Sequence, residues 1–179
     1  MSNEIDRVEL LVKVFENQQT LISNADSKAN IALGVQTFVT TTVLGAAVIV
    51  DTFKKIIDYS CTVQFAGYSL FVLFIVSSII GLALCIYVFK PRPPQEEQEI
   101  NRRGITYFGH IKMFNNSEEY LKEINATEYS NLVSEFAFQN YSLALILDYK
   151  MKFVKRSTTF LFINILLGMA LLLFLLAVK

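Results

Sequence analysis

Between Arg102 and Lys112 the chain gathers Arg102, Arg103, Tyr107, His110 and Lys112. Cationic side chains neutralise a phosphate, and a flat aromatic or imidazole ring offers a stacking face. The combination suits an anionic ring ligand. The same residues have an ordinary alternative, as aromatics of a membrane-surface belt or of bundle packing. A second cluster is Asn24-Ala25-Asp26-Ser27-Lys28-Ala29-Asn30. Asp26 and Asn30 are four apart and share a helix face, while Lys28 points elsewhere. It reads either as an interfacial collar with Lys28 reaching the headgroups, or as a polar junction that senses a ligand. Catalysis finds little support. The chain has no G-x-x-x-x-G-K-[ST], H-E-x-x-H or G-x-S-x-G motif and no pair of Cys-x-x-Cys motifs, and its only histidine is His110. The expectation is a protein that is not an enzyme and has no metal or resident cofactor.

The elements that must position these residues are set by three uncharged stretches, 30–50, 63–89 and 158–178. A helix rises about 1.5 Å per residue, so roughly 20 residues cross the ~30 Å hydrocarbon core. Backbone polar groups in lipid must bond within their own segment, which makes each stretch a helix. The fold class expected is all-α: a three-span integral membrane protein with a cytoplasmic helical bundle, its first and last helices continuous with their spans. Positive and negative residues balance at 16 each, so there is no overall basic field and nucleic acid is not an expected partner. Residues 1–28 are polar and mixed in charge, and the first span reads as an uncleaved anchor rather than a removable signal.

Lysine and arginine set the orientation. Arg7, Lys13 and Lys28 precede the first span, and ten cations from Lys90 to Arg156 lie between the second and third. Only Lys54, Lys55 and Lys179 fall on the other side. The N-terminus and residues 90–157 are therefore expected in the cytoplasm, and the 51–62 hairpin and the C-terminus outside. Cys61 and Cys85 lie about a membrane width apart and read as inert thiols, with an intermolecular Cys61 bridge as the alternative.

No proline occurs before Pro91 and no glycine before Gly34, so the first helix is expected from near Glu4 to Val50. Val8, Leu11, Phe15, Ile22, Ala25 and Ala29 make a heptad-like stripe that needs a partner. Leu132, Phe136, Leu143, Ile146 and Phe153 supply one on a helix expected from about Thr127 into the last span. Pro91, Pro93 and Pro94 end the second helix. Gln95–Arg103 reads as a short helix, and Asn116 as the N-cap of another, with Glu119 as its capping-box partner. The organisation is one unit over 1–179: an amphipathic helix 1–29, spans 30–50, 63–89 and 158–178, and a helical insert 90–157. Within the spans the polar candidates are Gln36, Gln64, Asn164 and Thr40–Thr42. They read as interhelical hydrogen-bonding groups, with Gly34, Gly45, Ala46 and Ala47 allowing close approach. The alternative is a polar seam that lines a pore once protomers associate.

Asp26-Ser27-Lys28-Ala29 opening the first span, two close spans ending in Lys90-Pro91-Arg92, then Tyr107-Phe108-Gly109-His110-Ile111, and Asp148-Tyr149-Lys150 before a last span form an ordered set over nearly the whole chain. The set resembles the transmembrane effector of the Pycsar (pyrimidine cyclase system for antiphage resistance) family. The resemblance implies a neighbouring cyclase that makes a cyclic pyrimidine nucleotide, such as cUMP or cCMP, during infection. It also implies an effector that responds by impairing the inner membrane, so that the cell dies before phage matures. The ligand-binding residues expected for this effector are Arg102, Arg103, Tyr107, His110, Asp26 and Lys28, in a homo-oligomer. A second reading is a constitutive scaffold whose bundle binds a protein partner. A transporter or channel without such a signal is disfavoured by spans lacking charge.

Overall fold

The computed structural model describes residues 2–49, 60–90, 104–106 and 108–177. Five helices occur among them: α1 Ser2–Ile49, α2 Cys61–Phe89, α3 Phe108–Ile111, α4 Ser117–Ala126 and α5 Tyr129–Ala177. No strand occurs among the described residues. α1, α2 and α5 are long and apolar enough to cross a membrane. α1 is helical through Lys28, and α5 through Ser157. Neither has a proline to remove an intrahelical bond, so the amphipathic front of each helix runs into its apolar part without a break. α2 stops at Phe89, with Lys90 extended as its C-cap immediately before Pro91. The short helix expected over Gln95–Arg103 and most of the outward hairpin lie outside the described residues.

α4 begins as its sequence dictates. Asn116 Oδ1 accepts from the Glu119 backbone N–H at 2.8 Å. The Glu119 carboxylate reaches back across the cap. Its Oε2 accepts from the backbone N–H and the side-chain Nδ2 of Asn115, at 2.9 and 2.8 Å. Asn116 thereby satisfies one orphan donor of the first turn, and the Glu119 carboxylate ties down the residue before the cap.

Residue contacts fall into two compact units. The first comprises Met1–Asn24 and Pro91–Tyr149, the second Ala25–Lys90 and Lys150–Lys179. In the first, the stripes of α1 and α5 meet: Phe15 packs edge-on against Phe136 with ring centroids 6.5 Å apart. Asn140 Nδ2 donates to the Leu11 carbonyl at 3.0 Å. In the second unit α2 runs antiparallel to α1 and α5. Ala25 and Ala29 of α1 pack with Val88 of α2 and Val154 of α5. Val43, Phe74, Leu171 and Leu175 make a second apolar cluster further along.

Glycine allows close approach in this unit, but not at Gly34 or Gly45. A Cβ at Gly34 or Gly45 would meet nothing within 4 Å, because both lie away from the helix contacts. Two tight places are Gly81 and Gly168. A Cβ on Gly81 would stand 2.9 Å from Gln36 Nε2, and one on Gly168 would stand 3.1 Å from Val43 Cγ2 and 3.3 Å from Phe74 Cε2. These two residues set how near α2 comes to α1 and α5 to its neighbours.

Candidate functional site

In the first unit the polar residues converge on the loop ahead of α3. Glu135, on α5, accepts through Oε2 from the Ile105 backbone N–H at 2.9 Å and from Thr106 Oγ1 at 3.0 Å. Gln139, one turn along the same helix, donates to Thr106 Oγ1 at 2.7 Å. From the other side Tyr120, on α4, donates its hydroxyl to the Ile105 carbonyl at 2.7 Å, with its ring 5.3 Å from that of Phe114. Both backbone groups of Ile105, a nearly buried residue, are therefore held by side chains from two helices. Gly104 makes the approach possible: a Cβ there would lie 2.7 Å from His110 Nδ1 and 3.1 Å from Glu135 Oε2. An imidazole and a carboxylate thus crowd one backbone point. The arrangement can fix the end of the segment that follows Arg102 and Arg103, and it sets a titratable ring beside it.

In the second unit polar groups form two layers. Lys150 Nζ bonds Asp26 Oδ1, a half-buried ion pair that joins α5 to α1. Further into the apolar part, Ser78 Oγ lies 2.9 Å from both Asn164 Oδ1 and the Phe74 carbonyl, and its single proton serves one or the other. Thr40 Oγ1 reaches Ser78 Oγ at 3.2 Å and the Gln36 carbonyl at 2.8 Å. Gln36 and Asn164 are fully buried, at 1% and 0% exposure. Yet Gln36 Nε2 and Oε1, Ser77 Oγ and Asn164 Nδ2 have no hydrogen-bond partner among the described residues. Leaving such a group unmade in an apolar interior costs on the order of 1–3 kcal/mol each.

The six residues expected to bind ligand are placed as follows. Arg102, Arg103 and Tyr107 lie outside the described residues; His110 is half-buried in the first unit; Asp26, half-buried, and Lys28, exposed, belong to the second. Asp26 is held by Lys150, a pairing that the spacing of the N-terminal cluster alone does not reveal. Among the described residues no group of His, Cys, Asp and Glu side chains is arranged to hold a metal ion. The sequence reading missed Glu135, Gln139, Tyr120 and Ser78. The available signal was two polar residues at i and i+4, Glu135 and Gln139, bordering the apolar stripe of α5.

A family model for the Pycsar effector protein domain matches residues 10–177 of the 179. The chain belongs to the Pycsar effector family. It is accordingly an antiphage effector and a multi-pass membrane protein whose α1, α2 and α5 meet the bilayer, in agreement with the resemblance read from the ordered motifs. The match runs through both units, so the effector domain takes in the Glu135 clamp as well as the buried polar layer. No match was found among curated proteins or among solved structures.

Proposed function

We propose that this effector is opened by a cyclic nucleotide and then impairs the inner membrane of the infected cell, which ends the infection with the cell's death. The ligand is a cyclic pyrimidine nucleotide such as cUMP or cCMP, taken up in the first unit beside the Gly104–His110 segment. Arg102 and Arg103 supply cations for the phosphate, and Tyr107 and His110 supply rings for the base. The effector acts by binding and rearrangement rather than by catalysis, and it works as a homo-oligomer. The excess of lysine and arginine before the first span and between the second and third supports a cytoplasmic N-terminus and a C-terminus outside.

One observation carries the reading. α1 and α5 are uninterrupted helices, each with residues in both units. A change of packing in the first unit therefore reaches the second along covalent helix rather than through a flexible linker. The ligand shifts the population only as far as it prefers the active packing, and one or two charge-assisted phosphate contacts, at roughly 1.5–3 kcal/mol each, shift it tenfold or more. The test is release of vesicle contents by the reconstituted full chain with cUMP, cCMP, cAMP or no nucleotide. Release by one cyclic nucleotide, lost in Arg102→Ala/Arg103→Ala while insertion persists, is the expected result. Equal release under all four conditions refutes it.

A further inference from the structure

The buried polar layer of the second unit lies between two apolar ones. On the Lys150 side it is bounded by Ala25, Ala29, Val88 and Val154, and on the other by Val43, Phe74, Leu171 and Leu175. The registers agree on all three helices. Thr40 precedes Val43 by about one turn on α1, Ser78 follows Phe74 by one turn on α2, and Asn164 precedes Leu171 by two turns on α5. The outer surface of the three helices is different in kind. Phe38, Phe162, Leu166 and Leu173 are exposed there. The exposed hydroxyls of Thr37 and Thr41 bond back to the Leu33 and Thr37 carbonyls of their own helix, at 2.8 and 2.9 Å. The Thr37 and Thr41 hydroxyls on this outer surface are thus satisfied, while the polar groups enclosed by the three helices include four buried atoms that are not. Interhelical adhesion alone would pair these groups. Water would pair them too, and a water molecule needs two to four polar partners of the kind this layer offers.

We propose that the layer of Gln36, Thr40, Ser77, Ser78 and Asn164 is the hydratable section of a permeation path for water and small monovalent ions, and that Val43, Phe74, Leu171 and Leu175 are its hydrophobic gate. The proposal deepens the membrane-impairing reading above and rests on it: the path replaces general bilayer disruption as the cause. In the closed packing Val43 and Phe74 press on Gly168, and the four gate residues leave no polar atom for water to hold, so the constriction stays dry. Parting the helices lets water reach the unmet amides and hydroxyl, whose desolvation cost is then relieved.

The full chain is reconstituted in vesicles that carry a pH-sensitive dye inside together with a large fluorophore, and flux is read without any nucleotide. Leu171→Asn buries an unpaired amide in the closed gate and should raise ion flux by roughly ten- to a hundredfold while the large fluorophore stays inside. Leu173→Asn places the same group on the lipid-facing side, where the residue is 64% exposed, and should leave flux at the wild-type level. Adding Ser78→Ala and Asn164→Leu to Leu171→Asn should remove the leak. Should Leu171→Asn lose helicity by circular dichroism, Leu175→Asn repeats the test one turn along the same helix and in the same apolar cluster. Independently, Ser77→Cys with Cys61 and Cys85 replaced by alanine should be shielded from a small charged thiol reagent in the closed chain and labelled in the gate variant. Equal leaks from Leu171→Asn and Leu173→Asn, release of the large fluorophore, or a gate variant that inserts, stays dry and leaves Ser77→Cys shielded would each overturn the proposal. A gate variant that conducts while the wild type ignores every nucleotide would instead overturn the nucleotide reading and leave the path standing.

Discussion

Replacing Glu135 by alanine tests whether the loop ahead of α3 is held by the clamp described above. The carboxylate accepts from the Ile105 N–H and the Thr106 hydroxyl through one oxygen. Thr106 keeps Gln139 as a donor in the variant, so its loss is partial. Ile105 is only 8% exposed, and its amide loses the one acceptor that faces it. A buried donor left unmade costs about 1–3 kcal/mol, so the central expectation is about 2 kcal/mol against the closed loop. At 1.4 kcal/mol per decade that is roughly a thirtyfold faster hydrogen exchange at the Ile105 amide. Glu135→Gln keeps a carbonyl oxygen in reach and should lose about half as much, because only the charge assistance is removed. The readout is exchange by mass spectrometry on peptides that contain Ile105, with peptides of α2 as an internal reference. Exchange at Ile105 unchanged in Glu135→Ala would refute the clamp. An equal increase in the α2 peptides would show general loosening rather than release of this loop.

Three further outcomes are expected. Gly168→Ala sets a methyl group 3.1 Å from Val43 Cγ2 and 3.3 Å from Phe74 Cε2, and should destabilise the spans by about 1–3 kcal/mol, seen as a lower detergent or thermal midpoint, whereas Gly45→Ala should be neutral or slightly stabilising. Asn116→Ala removes the acceptor for the Glu119 amide and should cost about 1 kcal/mol of α4 stability, read as faster exchange in the first turn of that helix, with Asn116→Asp largely retaining the cap. Glu9, fully exposed, is held below the usual carboxylate range by its hydrogen bond to Lys13 and then by that lysine's charge, and Lys13 is raised by the same bond and charge. The depressed acid contributes above its unfolded pKa and loses that contribution as pH falls through its folded value. The raised base contributes below its own unfolded pKa and loses that as pH rises through its folded value. Helicity of the start of α1 should therefore be level between the two ranges and decline at each end, and Lys13→Gln should flatten both declines in a circular dichroism titration.

What the sequence revealed about this molecule follows from what is local. Pro91 ends α2 and Asn116 starts α4 because a missing N–H and a short acceptor act on their own neighbours. The stripes that hold Phe15 and Phe136 are legible because helical period alone puts apolar residues on one face, and two such faces must cover each other. The spans are legible from length and the lack of charge. Pairings between distant residues are another matter. Gln36 and Asn164 stood out as polar residues in apolar helices, but the partner of Asn164 is Ser78. A serine inside a span attracts no notice, since its hydroxyl can always bond its own helix. Gly34 and Gly45 drew attention as small residues, yet which glycine meets a neighbour depends on helix rotation, and that selected Gly81 and Gly168. Glu135 was hidden for a similar reason: its donors lie 29 and 30 residues earlier, on a loop without periodicity.

The first unit is not contiguous along the chain, and this governs how it can be made. Its opening segment, up to Asn24, leaves the ribosome long before Pro91–Tyr149 exists. The bond from Asn140 to Leu11 spans 129 residues, which at about 5–20 residues per second is a wait of roughly 6–26 seconds. During that interval two greasy segments must already have entered the translocation machinery, while Leu11 and Phe15 have nothing of their own chain to rest against. A newborn copy therefore carries a sticky, half-dressed helix until α5, made long after it, comes to cover it.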